Sequence, residues 1–252
     1  MEDLLYNRRS IRKYTNQDIP QELLCDMLTL ASRTSTTGNM QVYSVVATRD
    51  KEIKQQLLGC HFNQPMITNA PVVLTFCADF NRFNKWCELR NAEPGYDNFL
   101  SFMTATIDAL LVAQTFSLIA ESKGLGICYL GTTTYLAEKI IDVLKLPKFV
   151  VPITTITVGY PGEVPAQVDR LPIEAILHND VYSDYTDEKI NQIYAYKESL
   201  IENKKFVEEN KKESLAQVFT DIRYSKKDNE LFSKMLLNVI KKQGFKFPDE
   251  TI

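Results

Sequence analysis

Residues 71–79 read PVVLTFCAD, a proline followed by a nearly unbroken apolar run that closes on an aspartate. That is strand length rather than helix length, and Val, Thr and Phe suit a pleated backbone. A run without polar alternation is covered on both faces, so it predicts a central strand. On its N-terminal side, Val42–Thr48 is rich in β-branched residues and predicts another strand. Asp50 is placed to cap a short helix ending near Leu58. Farther out, Ile19-Pro20-Gln21-Glu22 opens a helix, because proline fits a first turn whose N–H groups lack helical partners. Leu23, Leu24, Met27, Leu28 and Ala31 then recur at helical spacing until Gly38 and Asn39 break it.

On the C-terminal side, the apolar stretch Phe99–Ala120 runs to Lys123-Gly124, a basic last turn and a C-cap glycine. Thr104, Thr106, Asp108, Gln114, Thr115 and Ser117 interrupt it, which predicts a buried helix rather than a membrane span. Ile127–Leu130 reads as a short strand ended by Gly131. Tyr135–Leu144 reads as a helix closed before Pro147, and Pro152–Val158 as a further strand ended by the turn Gly159-Tyr160-Pro161-Gly162. Strands separated by helices predict an α+β or α/β sandwich. From Asp187 onward tyrosine, lysine and glutamate dominate, and short apolar clusters such as Met235-Leu236-Leu237 predict amphipathic helices.

The chain has 252 residues, 44% apolar and 24% charged, enough for a sizeable core and too apolar for a disordered chain. A net charge of -3 gives no sign of a nucleic-acid or anionic-membrane surface. The opening MEDLLYNRRSIRKY lacks a signal-peptide core, and the five cysteines form no CxxC. Both features predict a cytoplasmic protein. The only histidines, His61 and His178, lack metal-ligand spacing, so no metal is expected.

Several segments carry chemical potential. Arg8-Arg9-Ser10-Ile11-Arg12 offers guanidinium forks and a hydroxyl, which suit a phosphate or equally a solvated basic N-terminus. Arg33–Gln41 ends a helix in small polar residues that suit a ligand or a plain surface loop. The amides of Asn63 and Gln64 match the paired donor and acceptor edge of a pyrimidine-like ring. Gly131 permits close backbone approach to a flat ligand, although Gly124–Thr134 is no dinucleotide fingerprint. Arg170, within Asp169-Arg170-Leu171-Pro172, matters only in company with the N-terminal arginines. No nucleophile motif, P-loop or catalytic carboxylate pair stands out.

Taken in order, these segments resemble the flavin-reductase branch of the nitroreductase family. The resemblance rests on RRSIRKY (8–14), RTSTTGNMQ (33–41), FNQ (62–64) with the AP at 70–71, FCADFNR (76–82), ESKGLG (121–126) with YLG (129–131), VLKLP (143–147) and GYPGEVPAQVDRLP (159–172). It spans about residues 1–180, an FMN-binding core, with 181–252 a helical extension of the same domain that packs at the dimer surface.

The resemblance implies an α+β fold with a mixed central sheet flanked by helices, in an intertwined homodimer with FMN at the subunit interface. It places Arg8, Arg9, Ser10 and Arg12 at the phosphate, the ribityl chain and the near edge of the flavin, where Arg12 tunes the reduced cofactor electrostatically. Thr36 and Gly38 come from the other subunit, Gln64 meets the pyrimidine side, Leu130 and Gly131 face the ring through backbone, and Arg170 meets the phosphate. NADPH or NADH supplies electrons, with NADPH favoured; read as residues alone, Lys204-Lys205 and Lys211-Lys212 suit its extra phosphate or equally a solvated helix face. Acceptors are nitroaromatics, quinones or flavins, reduced by ping-pong turnover in which the flavin N5 carries the chemistry and no side chain is catalytic. A dehalogenase-like or ring-desaturating enzyme, or a flavin-binding sensor with little turnover, are the alternatives. The chain departs from the family pattern at three places. Val168 replaces a lysine two positions before Arg170, Arg8 replaces an opening histidine, and Thr132 replaces a second glycine after Gly131.

Overall fold

Four strands, β1 (Tyr43–Thr48), β2 (Val72–Asp79), β3 (Gly126–Leu130) and β4 (Val150–Gly159), form one sheet in the order β1-β2-β4-β3. The computed structural model describes residues 1–248. Every residue of β2 and β4 is buried, as the unbroken apolar run at 72–79 predicts. All three strand pairs are antiparallel. This corrects the mixed sheet expected from the resemblance: among the described residues, the one parallel pairing beside β3 is the isolated bridge between Ser10 and Ile127. The apolar run signals cover on both faces, not the direction of its neighbours.

The two faces divide the side chains by the period of two that a strand imposes. Val72, Leu74 and Phe76 pack with Ile127, Ile156 and Val158 in one cluster, joined by helices α2 (Gln21–Ala31) and α6 (Phe99–Ser122). Val73, Cys128 and Leu130 point the other way, onto α3 (Lys51–Cys60), the turn α4 (Met66–Asn69) and α7 (Ala137–Leu144). Each large apolar side chain buried here contributes about 2 kcal/mol.

Local rules set the helix ends. Asp50 accepts from the N–H groups of Glu52 and Ile53 and caps α3 as expected, although the helix runs on to Cys60. Lys54 is buried, and its ammonium donates to the carbonyls of Thr68 (3.2 Å) and Ala70 (2.8 Å), tying α3 to the turn before β2. Burial lowers the pKa of this amine. Asn98 caps α6 through the N–H of Ser101. By length and composition α6 is the described helix that could cross a bilayer. It packs instead on α2 and the sheet through Phe102, Ala105, Ala109, Val112, Ala113 and Phe116. Its opposite face leaves Leu100, Met103, Ile107, Leu110 and Leu111 exposed.

The chain clusters into two compact units. One is Met1–Ala166 with the segment from Phe232 on, the other Gln167–Leu231. The first also contains α1 (Glu2–Asn7) and α5 (Asn81–Glu88). The second holds α8 (Asp187–Ser199), α9 (Ile201–Glu209), the short α10 (Leu215–Gln217) and a π-helical turn, Val218–Arg223. The final helix, α11, spans Lys226–Lys242. α8 begins at Asp187, where the sequence changes character.

Candidate functional site

The arginine-rich N-terminal segment is held against β3 by backbone bonds and two close approaches. Ile11 donates its N–H to the Ile127 carbonyl (2.9 Å), and Thr15 donates to Tyr160 (2.9 Å). The Tyr14 hydroxyl donates to the Ile11 carbonyl (2.7 Å) and bonds the Thr157 hydroxyl (2.7 Å), and burial raises its pKa. Gly126 and Gly159 face each other across the β3–β4 register. A Cβ on Gly126 would stand 2.5 Å from Ile11, and one on Gly159 would stand 2.6 Å from Pro71 and 2.8 Å from Tyr14. Both positions therefore require glycine for close packing.

This docking fixes the basic stretch. Arg8, Arg9 and Ser10 are half-buried and Arg12 is exposed. Arg8 pairs with Glu121 at the end of α6 (3.1 Å). Burial raises the Glu121 pKa, and Arg8 pulls it back. Arg9 donates to the Asn7 carbonyl (2.8 Å), while its Nε is buried without a hydrogen-bond partner. Arg12 has no ion pair among the described residues; the carboxylate of Asp18 is taken by Arg49 (2.7 Å). Burial pushes the Cys128 thiol pKa up, and the Arg12 guanidinium beside it opposes that.

Three residues beyond Ile127, β3 ends at Leu130, and Gly131 follows it in a turn. Leu130 is buried, whereas Gly131 is exposed, and a Cβ built on it would meet nothing within 4 Å. The loop His61–Pro65 joins this end. His61 is fully buried, and its Nδ1 bonds the Thr132 hydroxyl (2.8 Å), to which the Gln64 amide also donates (3.4 Å). The departure at Thr132 thus positions Gln64. Burial lowers the His61 pKa to about 4, so its ring is neutral at pH 7, and its Nε2 is buried without a partner. Phe62 and Asn63 between them take left-handed backbone (φ 52° and 57°). Phe62 lies against Tyr135 (ring centroids 6.3 Å apart) and Phe232 (6.0 Å), and those two rings stack on each other at 4.5 Å.

Thr36 and Gly38 lie in a tight loop before β1. Gly38 has φ 57°, and the Thr36 hydroxyl accepts from the Gln41 N–H (3.2 Å). Asp108, fully buried on α6, accepts from the N–H groups of Thr37 (2.9 Å) and Val42 (3.3 Å). Arg82 donates to the carbonyls of Gln41 and Tyr43. Sequence reading missed Asp108 and Arg82 here. The signal for Asp108 was a carboxylate in the middle of an apolar helix.

Arg170 belongs to the second unit, where it donates to the carbonyl of Asp169 (2.8 Å). It lines a cavity of about 1020 Å³ with Lys197, Phe206, Phe219 and Arg223. Lys197 pairs with Asp169 (2.8 Å), which puts a cation near the place where Val168 departs from the family pattern. Arg223, at the end of the π-helical turn, lies over the rings of Phe206 (4.6 Å) and Phe219 (5.3 Å). The lysine pairs are partly engaged, Lys205 with Glu209 and Lys212 with Asp221. Among the described residues, no group of three or more His, Cys, Asp or Glu is arranged to hold a metal ion.

The chain matches the nitroreductase family model over residues 5–61 and 58–160. It is 33% identical over 246 residues to an FMN reductase [NAD(P)H] from Bacillus subtilis, covering 96% of each chain. It is 32% identical over 200 residues to an FMN reductase (NADPH) from the same organism, covering 79% of this chain and 80% of the relative. A solved structure from Bacteroides fragilis, 63% identical, superposes with a TM-score of 0.95 over 96% of this chain and 99% of that one. A nitroreductase from Bacillus subtilis, 29% identical, gives a TM-score of 0.85 over 97% and 98%. With a matched family model across more than half its length, and relatives aligned almost end to end, this chain belongs to the nitroreductase family.

Proposed function

We propose that this protein is an FMN-dependent NAD(P)H oxidoreductase that works as a homodimer. The observation that carries this reading is the joining of two features on β3. The arginine segment 8–12 bonds at Ile127, and the strand ends three residues on at Leu130, followed by the open backbone of Gly131 beside Gln64. The residues present fit FMN. The buried Arg9 Nε and the cationic Arg12 suit an anionic ligand, and the empty space over Gly131 suits a flat one.

In this reading Arg8, Arg9 and Ser10 hold the phosphate and ribityl portion. Glu121 takes part of the Arg8 charge, so Arg9 and Arg12 carry more of the anion binding. Gln64 meets the pyrimidine edge with one amide edge steadied by Thr132, and Leu130 and Gly131 present backbone to the ring. Arg12 keeps its charge when partly desolvated and is therefore suited to the near edge, where it favours the reduced cofactor. Thr36 and Gly38 are lent by the second subunit. The phosphate role of Arg170 rests on its motif position.

FMN held by these residues would supply two-electron redox chemistry between a nicotinamide donor and a nitroaromatic, quinone or flavin acceptor. The protein's part is to bind, orient and exclude water. Neutral His61 fits that part: fixed and uncharged, it holds the loop rather than exchanging protons. With NADPH and a quinone varied together, initial rates are expected to give parallel reciprocal plots, with a higher kcat/KM for NADPH than for NADH. Intersecting plots would remove the ping-pong assignment, and an NADH preference would reverse the donor assignment.

A further inference from the structure

The loop 36–42 is held in an unusual shape by groups outside it. Three of the four residues 38–41 have left-handed backbone: Gly38 (φ 57°), Asn39 (φ 56°) and Gln41 (φ 53°). Glycine accepts this freely, asparagine tolerates it, and glutamine is strained by it. Such a loop persists only where its surroundings over-determine it.

They do so from both sides. The carboxylate of Asp108 takes two amides that bracket the turn, those of Thr37 and Val42. The guanidinium of Arg82 takes the carbonyls of Gln41 and Tyr43. Arg82 is itself placed by Asp79, which ends β2 and accepts its backbone N–H (3.3 Å). Asp108 is fully buried and has no ion pair among the described residues. A buried carboxylate is costly unless its oxygens are satisfied, so it is an expensive device for an ordinary surface turn.

The geometry points to Asp108 and Arg82 as positioning residues: a two-sided clamp that holds Thr36 and Gly38 in the shape the cofactor site needs. This rests on the reading of the protein as an FMN enzyme, and it adds residues that touch no cofactor themselves. It also links the site to α6, which carries Asp108 on its buried side and an apolar stripe on its exposed side. D108N replaces one acceptor with an N–H₂ group that faces an amide N–H. R82M removes the donors while keeping most of the unbranched apolar stem.

The test uses D108N, R82M and R82K in the full chain. The first readout is FMN affinity by flavin fluorescence. The second, without added FMN, is hydrogen exchange of a peptide spanning 34–42, with the melting temperature measured alongside. FMN is expected to bind about tenfold more weakly to D108N and R82M, with partial recovery in R82K, because charge-assisted bonds are lost. Faster exchange confined to 34–42 is expected in R82M at an unchanged melting temperature, since Arg82 is exposed. Wild-type affinity and wild-type exchange in R82M and D108N would overturn the clamp. A wild-type protein that binds no FMN would instead overturn the cofactor reading, and the exchange result would still decide the clamp.

Discussion

Replacing Gly126 with alanine is expected to lower folding stability by about 3 kcal/mol, the upper part of the range for overpacking a buried site. The added methyl would lie 2.5 Å from Ile11 Cγ1 and 2.6 Å from Ile11 Cβ. Ile11 is buried and β-branched, so it has few rotamers to escape into. Its backbone is also pinned to Ile127, and the next turn is pinned by Tyr14 to Thr157. The strain is relieved only by lifting residues 8–14 off β3, which displaces Arg8, Arg9, Ser10 and Arg12 together. FMN affinity should therefore fall with stability. Urea unfolding of G126A beside G131A checks this. Gly131 has open space where the methyl would go, so G131A should unfold within about 0.5 kcal/mol of wild type, as an unobstructed surface substitution does. Equal midpoints for G126A and wild type would show that the N-terminal segment is not held as described.

Glutamate at both Ile107 and Leu110 is expected to give a monomer that has lost most of its FMN. Leu100, Met103, Ile107, Leu110 and Leu111 recur at helical spacing on the outer face of α6, and Leu100 is 76% exposed. A continuous apolar stripe of this kind marks an interaction surface, and a second copy fits it if the dimer is two-fold symmetric. Two charges buried in such an interface cannot find partners. If the second subunit supplies Thr36 and Gly38, separation removes one wall of the site, and FMN affinity should drop by about 100-fold or more. Sedimentation velocity with flavin absorbance detection reads both effects at once. A monomer that retains FMN at wild-type affinity would show that each site is complete within one chain.

The fold was legible where the controlling interactions are local. The run at 72–79, the Asp50 cap and the end of α6 at Lys123-Gly124 each depend on residues a few positions apart. Strand direction is not local, and no residue pattern opposed the mixed sheet that the resemblance implies; the four strands are antiparallel. The basic stretch 8–12, Gln64 and Gly131 stood out by residue type. What holds them did not: the bonds from Asp108 to Thr37 and from Thr132 to His61 each span 71 positions, and that from Arg82 to Gln41 spans 41. Thr132 looked like the loss of a glycine. Its hydroxyl instead joins His61 to Gln64.

An anaerobic half-reaction tests the proposed activity most directly. Protein reconstituted with FMN and freed of oxygen should lose its flavin colour on addition of a stoichiometric amount of NADPH, and a quinone added afterwards should restore it. Failure to bind FMN, or a flavin that stays oxidised with both NADPH and NADH, would contradict the assignment.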